Sequence, residues 1–167
     1  MDNIQPTTRI TVPVIALSFY AIASGYLMSS LPLMLSEYGL DSNLSSWLAS
    51  AFYAGLLAGT LLIERAIARV GHKDAFVIAL AIFIATILVL PLAPHQSVWL
   101  LARFVAGVSV AGIFVIVESW LMSGEESQRA KRLGVYMCSL YGGSAVGQLG
   151  IFATNSTNST SLMIRIA

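Results

Sequence analysis

Charged residues are scarce in this sequence. They make up 10% of the chain, whereas soluble domains carry about 25%. Hydrophobic residues make up 57%, and the mean hydropathy is +0.81. A water-soluble core could not bury so much apolar surface, so the composition excludes a soluble domain and predicts an integral membrane protein. The net charge of +1 gives no indication of a nucleic-acid partner.

The residues that carry enzyme or metal chemistry are also scarce. Cys138 is the single cysteine, which excludes an internal disulfide and a Cys-x-x-Cys metal motif. His72 and His95 fall in different predicted loops, on opposite sides of the membrane. A Walker-type phosphate loop is missing as well, so an ATP-driven pump subunit is not indicated. We therefore expect neither an enzyme nor a bound cofactor.

Long apolar runs are what the sequence does contain. A helix needs roughly 20 apolar residues to cross a bilayer, and several runs reach that length. They predict an all-α membrane protein with about five transmembrane helices. The predicted spans are residues 10–35, 44–63, 75–93, 98–122 and 133–154. Residues 1–9 are a polar tail, residues 64–74 and 123–132 are predicted charged loops, and the polar residues 155–167 are expected to be disordered.

The distribution of Lys and Arg predicts the orientation. If the N-terminus is cytoplasmic, the loops between spans contain Lys and Arg on the cytoplasmic side and none on the outer side. Arg165, in the C-terminal tail, is the exception. This is the positive-inside pattern, and it predicts a multi-pass protein with a cytoplasmic N-terminus. The residues on the predicted cytoplasmic side are Arg9, Arg65, Arg69, Lys73, Arg129, Lys131 and Arg132.

The fourth span holds two ionisable residues, Arg103 and Glu118. A charge within a spanning helix costs about 2.5–3.5 kcal/mol on insertion scales, so it normally faces protein or water and has a use. Helical spacing puts both charges on one face, about 22 Å apart along the axis, so they cannot pair with each other. Each needs a partner from another helix, or water. The alternative for Arg103 is a side chain that extends to the outer interface.

Small residues form stripes on two other spans. Gly55 and Gly59 are four residues apart on the second span, as are Gly143 and Gly147 on the fifth. Such stripes allow helix backbones to approach closely. Plain helix packing explains them without any further function.

Five short motifs occur in order on these spans, and together they resemble one family. The chain is similar to the major facilitator superfamily of secondary transporters, and most of all to its YcaD-like branch of bacterial permeases, from about residue 10 to residue 149. The motifs are Gly59-Thr60-Leu61-Leu62, Arg69-Val70-Gly71, Arg103-Phe104-Val105-Ala106-Gly107, Val117-Glu118-Ser119 and Gly147-Gln148-Leu149.

The resemblance implies transport of a small molecule across the cell inner membrane, driven by a coupling ion. It implies that Arg103, followed by Gly107 at the family spacing, acts in proton coupling or substrate contact. It also implies a gating loop between spans two and three, with Glu118 as a latch partner for its arginines. The matching loop residues are Arg65, Arg69, Gly71 and Lys73. The alternative is that these basic residues only set the topology.

The chain departs from the family pattern at several positions. Glu64 replaces the first glycine of the loop motif, and Ala68 replaces its acidic residue, so the usual carboxylate–arginine network is incomplete. Gln148 follows Gly147 where antiporter branches carry proline, which weakens an antiporter assignment. Gln148, Tyr20 and Tyr53 are candidates for lining a cavity, although ordinary packing explains them too.

The length also departs from the family plan of two six-span halves, each built from two three-span repeats. This sequence offers one repeat and two spans of the next. We expect a truncated N-terminal part, such as a frameshift product, whose glycine faces would pack against the missing half. The alternative is a non-transporting remnant, or a small membrane scaffold that self-associates through those faces. The substrate, the direction of transport and the coupling ion do not follow from the sequence.

Overall fold

The computed structural model describes residues 8–122 and 126–151, and side-chain surroundings from residue 14 onward. Every element in these ranges is helical, which confirms the predicted all-α membrane fold. The α-helices are α1 Thr8–Glu37, α2 Leu44–Val70, α3 His72–Leu92, α4 Gln96–Met122 and α5 Glu126–Met137. A π-helical turn, Cys138–Gly142, follows α5 and leads into a helix over residues 143–151. The predicted polar tails, apart from Thr8 and Arg9, lie outside the described residues.

Four of these helices are long and apolar enough to cross a membrane: Val14–Glu37 of α1, and all of α2, α3 and α4. Their outer surfaces are apolar as well. Leu57 is 69% exposed, Leu61 71% and Leu92 81%. Contiguous apolar surface of this kind is unusual on a soluble protein and is suited to lipid. The fifth predicted span is helical over its described residues, 133–151, but is not among these four.

The predicted loop over residues 64–74 is wrong, because almost all of it is helical. α2 continues to Val70, α3 begins at His72, and Gly71 alone connects them. The charged loop predicted over residues 123–132 is likewise wrong from Glu126 onward, where α5 begins. Hydropathy detects the part of a helix that lies in hydrocarbon. A polar extension beyond the bilayer can still close its backbone hydrogen bonds within the helix.

The chain reverses between α3 and α4 in a short turn. Pro91 lies in the last turn of α3, where it disfavours further helix. The indole nitrogen of Trp99 in α4 donates a 2.9 Å hydrogen bond to the carbonyl oxygen of Leu90, one of the acceptors that a helix end leaves open. Trp99 is fully buried, and the ring of Tyr38 meets it edge-on at 6.0 Å. This contact fixes the end of α3 against the start of α4.

The molecule divides into two compact units, residues 34–122 and the remainder. In the first unit α4 packs against both α2 and α3. In the second unit the first part of α1 packs against the helix over residues 143–151. A Cβ added at Gly143 would come within 2.9 Å of the Ala21 side chain, and one at Gly147 would overlap the Ile22 carbonyl. The glycine face of the fifth predicted span is therefore covered by α1, not open.

Candidate functional site

Arg103 lies inside the unit formed by residues 34–122. Its side chain is 3% exposed, and its guanidinium carbon lies 4.6 Å from the centre of the Phe52 ring on α2. A cation above an aromatic face is stabilised by the ring quadrupole, more strongly when water is excluded. The structure thus surrounds this charge with protein. An arginine that extended to the outer interface would be more exposed.

A close crossing of α2 and α4 lies one turn from Arg103. The two helices run in the same direction, and each contributes glycine. A Cβ added at Gly107 would overlap the carbonyl oxygen of Phe52, and one at Gly55 would overlap that of Phe104. Gly59 continues the contact further along α2. Because only glycine permits this backbone approach, the crossing holds the Phe52 ring and the Arg103 side chain at a fixed relative position.

The other end of α4 carries the second ionisable residue. Glu118 is exposed, and the hydroxyl of its neighbour Ser119 lies 3.4 Å from Nε2 of His72, the first residue of α3. Further along, the Trp120 ring packs on Phe76 of α3 at 5.3 Å. The end of α4 and the start of α3 are therefore in direct contact.

The residues predicted to gate lie around this same α2–α3 connection. Arg65, Arg69 and Lys73 are all exposed. Gly71 has φ +82° and ψ 163°, a conformation that is essentially restricted to glycine. Within the unit of residues 34–122, the structure brings these residues to the end at which α4 carries Glu118. The pairing of Glu118 with Arg65 or Arg69 stays a prediction.

The three residues predicted to line a cavity have different surroundings. Tyr20 is buried at 7% exposure. Tyr53 is 60% exposed and meets Phe52 edge-on, so its ring lies on the outer surface of α2. Gln148 is exposed, and its side-chain amide donates to the Ser144 hydroxyl of its own helix at 3.4 Å. The structure does not bring these three side chains together within one unit.

Sequence reasoning missed two features of this region. Phe52 was not singled out, because its place beside Arg103 depends on how α2 is rotated against α4, and no pattern within α2 alone gives that rotation. A groove of about 350 Å³ between α2, α3 and α4 was also missed, because it depends on three helices packing together. Among the described residues no group of three or more His, Cys, Asp or Glu side chains could hold a metal ion.

Comparison with known proteins agrees with this arrangement of apolar helices. The sequence model of the Major Facilitator Superfamily matches residues 14–159 of this chain. An uncharacterized MFS-type transporter of Enterobacter sp. (strain 638) is 37% identical over 131 residues, covering 78% of this chain and 34% of that protein. The uncharacterized MFS-type transporter YcaD of Escherichia fergusonii is 37% identical over 129 residues, covering 77% of this chain and 34% of its own length.

A YcaD protein of Escherichia coli K12 is 38% identical over 133 residues, again with 77% of this chain and 34% of the relative covered. The chain therefore spans about a third of the length of these relatives. No solved structure matches it. The family model covers most of the chain, and the relatives match it over more than three quarters of its length. The chain belongs to the Major Facilitator Superfamily.

Proposed function

We propose that this chain takes part in secondary active transport of a small molecule, driven by a coupling ion, with Arg103 at the centre of the transport machinery. Its relatives bear the name of transporters, and membership of the family supports membrane transport in general. The activity of a whole transporter is part of the proposal, since the chain spans 34% of those relatives.

The observation that carries the proposal is the burial of Arg103 within a helix of membrane-spanning length. An ionised residue in such a helix is costly and is retained mainly for ion or substrate handling. Arg103 is 3% exposed and lies over the Phe52 ring, so lipid is kept away from it. A guanidinium held in this way can attract an anionic substrate group, or can change the protonation of a nearby carboxylate when the helices move.

The contact between α3 and α4 supplies the second part of the proposal. We place the N-terminus and the α2–α3 connection in the cytoplasm of a cell whose inner membrane holds the protein, because Arg65, Arg69 and Lys73 cluster there. Glu118 then acts with Arg65 or Arg69 as a latch that opens and closes on the cytoplasmic side. Such a charge pair is worth little at an exposed position, so it can break and re-form during transport.

Flux through reconstituted protein tests the proposal. Purified protein in liposomes loaded with the pH-sensitive dye pyranine would be challenged with a panel of sugars, organic acids and amines under an imposed proton gradient. We expect at least one compound to change the internal pH. The same flux should fall at least tenfold in Arg103→Gln.

Arg129→Gln is the matched control, because Arg129 is an exposed arginine on α5 whose carboxylate partner, Glu126, is 4.0 Å away. It should keep the flux, since an exposed ion pair contributes little. Size-exclusion profiles of the variants would show whether Arg103→Gln still folds. Folded protein that moves no compound, either under the proton gradient or under a gradient of another ion, would contradict transport. That result would favour a membrane scaffold.

A further inference from the structure

A groove on the unit formed by residues 34–122 shares Arg69 with the proposed latch, but the transport proposal gives no role to its apolar walls. It has a volume of about 350 Å³, within the roughly 300–1,000 Å³ of typical ligand sites, and lies between α2, α3 and α4. Its walls are almost wholly apolar. The residues that line it are Gly59, Leu62, Ile63, Ala66, Arg69, Val70, Ala75, Ile78, Ala79, Ile82, Val108, Ser109 and Gly112.

The groove is open on one side, and its apolar rim is exposed. Leu62 is 51% exposed, Ile78 49% and Ile82 40%. The hydroxyl of Ser109 donates to the carbonyl oxygen of Val105 in its own helix at 3.0 Å. The groove therefore offers an occupant apolar contact along its length.

The α2 wall of the groove is about half as long as the hydrocarbon core of a bilayer is thick. Gly59 and Arg69 line it at opposite ends of the α2 wall. Ten residues of helix rise about 15 Å, and the hydrocarbon core of a bilayer is about 30 Å thick. Because the apolar run of α2 ends at residue 63 and the helix ends at Val70, the Gly59 end of the groove lies within the apolar run and the Arg69 end lies on the polar extension.

Positive charge is concentrated at the Arg69 end of the groove. Arg69 carries the charge among the lining residues, and Arg65 lies one turn before it, about 40° around the helix. Lys73 is the second residue of α3, two residues after the connection at Gly71. Of the nearby acidic residues, Glu64 lies about 140° around α2 from Arg69, Asp74 lies in the first turn of α3, and Glu118, the proposed latch partner, lies near the end of α4.

We propose that this groove binds one anionic phospholipid, with an acyl chain between α2, α3 and α4 and the phosphate on Arg69, assisted by Arg65 or Lys73. An open apolar groove with cationic groups at one end is complementary to such a lipid, because the acyl chain meets the apolar walls and the phosphate meets the positive charge. Basic pockets between transmembrane helices are known to bind lipid headgroups of this kind. The inference requires membrane insertion but not transport, so either proposal can fail alone.

Native mass spectrometry of the purified protein tests the site. The protein in mild detergent would be titrated with dioleoyl phosphatidylglycerol and, separately, with dioleoyl phosphatidylcholine, which has the same acyl chains and no net charge. We expect one high-affinity phosphatidylglycerol adduct and several-fold weaker binding of phosphatidylcholine. Arg69→Gln should weaken the phosphatidylglycerol adduct about fivefold, the contribution of one basic side chain near an anionic lipid.

A matched pair of tryptophan variants separates the groove from the general surface. Ala66 and Ala68 are both exposed on α2, but only Ala66 is a lining residue. Ala66→Trp should fill the groove and remove the high-affinity adduct, whereas Ala68→Trp should leave it unchanged. Arg129→Gln, which changes a basic residue on α5, should also leave it unchanged.

Three results would overturn the proposal. One is equal binding of the two lipids. Another is loss of the adduct in Ala68→Trp as much as in Ala66→Trp. The third is displacement of the adduct by millimolar inorganic phosphate with no effect of Ala66→Trp, which would show a phosphate site that needs no acyl chain.

Discussion

The guanidinium carbon of Arg103 lies 4.6 Å from the centre of the Phe52 ring, and the two residues belong to different helices. Phe52 is 8% exposed and Arg103 is 3% exposed, so the pair is shielded from solvent. The Phe52 carbonyl also lies where a Cβ of Gly107 would be. One residue of α2 therefore meets both the charge of α4 and the glycine that follows it by one turn.

Replacing the ring should weaken this interaction. In Phe52→Leu the apolar volume is largely kept but the ring quadrupole is lost, and a desolvated cation–π pair contributes about 2 kcal/mol. We expect the free energy of unfolding in mild detergent to fall by about 1–2 kcal/mol. The adjacent Tyr53→Leu, at an exposed ring, should change it much less. Phe52→Leu would also be made in an Arg103→Met background, which has no cation at this position. If it lowered the free energy of unfolding equally there and in the natural sequence, the ring would contribute packing alone.

Alanine at the α2–α4 crossing should force the helices apart. A Cβ at Gly107 meets backbone atoms of Phe52 and Leu56, which cannot rotate away as a flexible side chain could. We expect Gly107→Ala to lower the free energy of unfolding by about 1–3 kcal/mol, the usual range for overpacking. Gly134→Ala is the opposite case, since nothing lies within 4 Å of the added Cβ. It should stabilise α5 by up to about 1 kcal/mol. Equal effects of the two variants would contradict the close crossing.

The sequence predicted correctly those features of the molecule that depend on one helix alone. Composition and run length predict the apolar helices, since each must satisfy its own backbone hydrogen bonds in lipid. Arg103 could be singled out because a charge in an apolar run is costly whatever its neighbours are. The helix ends at Val70 and Glu126 could not be found this way, because hydropathy does not distinguish a polar helix from a polar loop.

Contacts between helices were harder to predict. The stripes at Gly55 and Gly147 indicated close approach, but their partners, α4 and α1, depend on the rotation of each helix about its axis. The groove beside Arg69 needs three helices in register, so no single stretch of sequence contains it. The same reason explains why Phe52 was missed beneath Arg103.

Gly71 should be intolerant of substitution for a backbone reason alone. Its φ of +82° is combined with ψ of 163°, a region in which residues with a Cβ are strained by about 1–3 kcal/mol. Nothing lies within 4 Å of a Cβ added there, so steric overlap with neighbours is not involved. We expect Gly71→Asn to lower the melting temperature clearly. Gly39 has φ +66°, which asparagine tolerates better, so Gly39→Asn should have a smaller effect. If Gly39→Asn lowered the melting temperature more than Gly71→Asn, the α2–α3 connection would be shown to accept a side chain without strain.

The contact between His72 and Ser119 predicts that the start of α3 can be cross-linked to the end of α4. Cys138 is the single cysteine, so Cys138→Ser gives a background without thiols. Adding His72→Cys and Ser119→Cys places two thiols where the natural side chains are 3.4 Å apart. A short bifunctional methanethiosulfonate should join them in native membranes. To detect the intramolecular product, a protease site would be engineered between residues 72 and 119. Cleavage there separates two fragments in unlinked protein, whereas the cross-link keeps them joined.

The cross-link also tests whether this end of the molecule moves during transport. If the opening of the latch at Glu118 also separates the end of α4 from the start of α3, the cross-linked protein should lose flux that returns on reduction. A pair with Leu92→Cys in place of His72→Cys is the control, because Leu92 lies at the opposite end of α3 and should not be joined to residue 119. Full flux through quantitatively cross-linked protein would place the moving parts elsewhere.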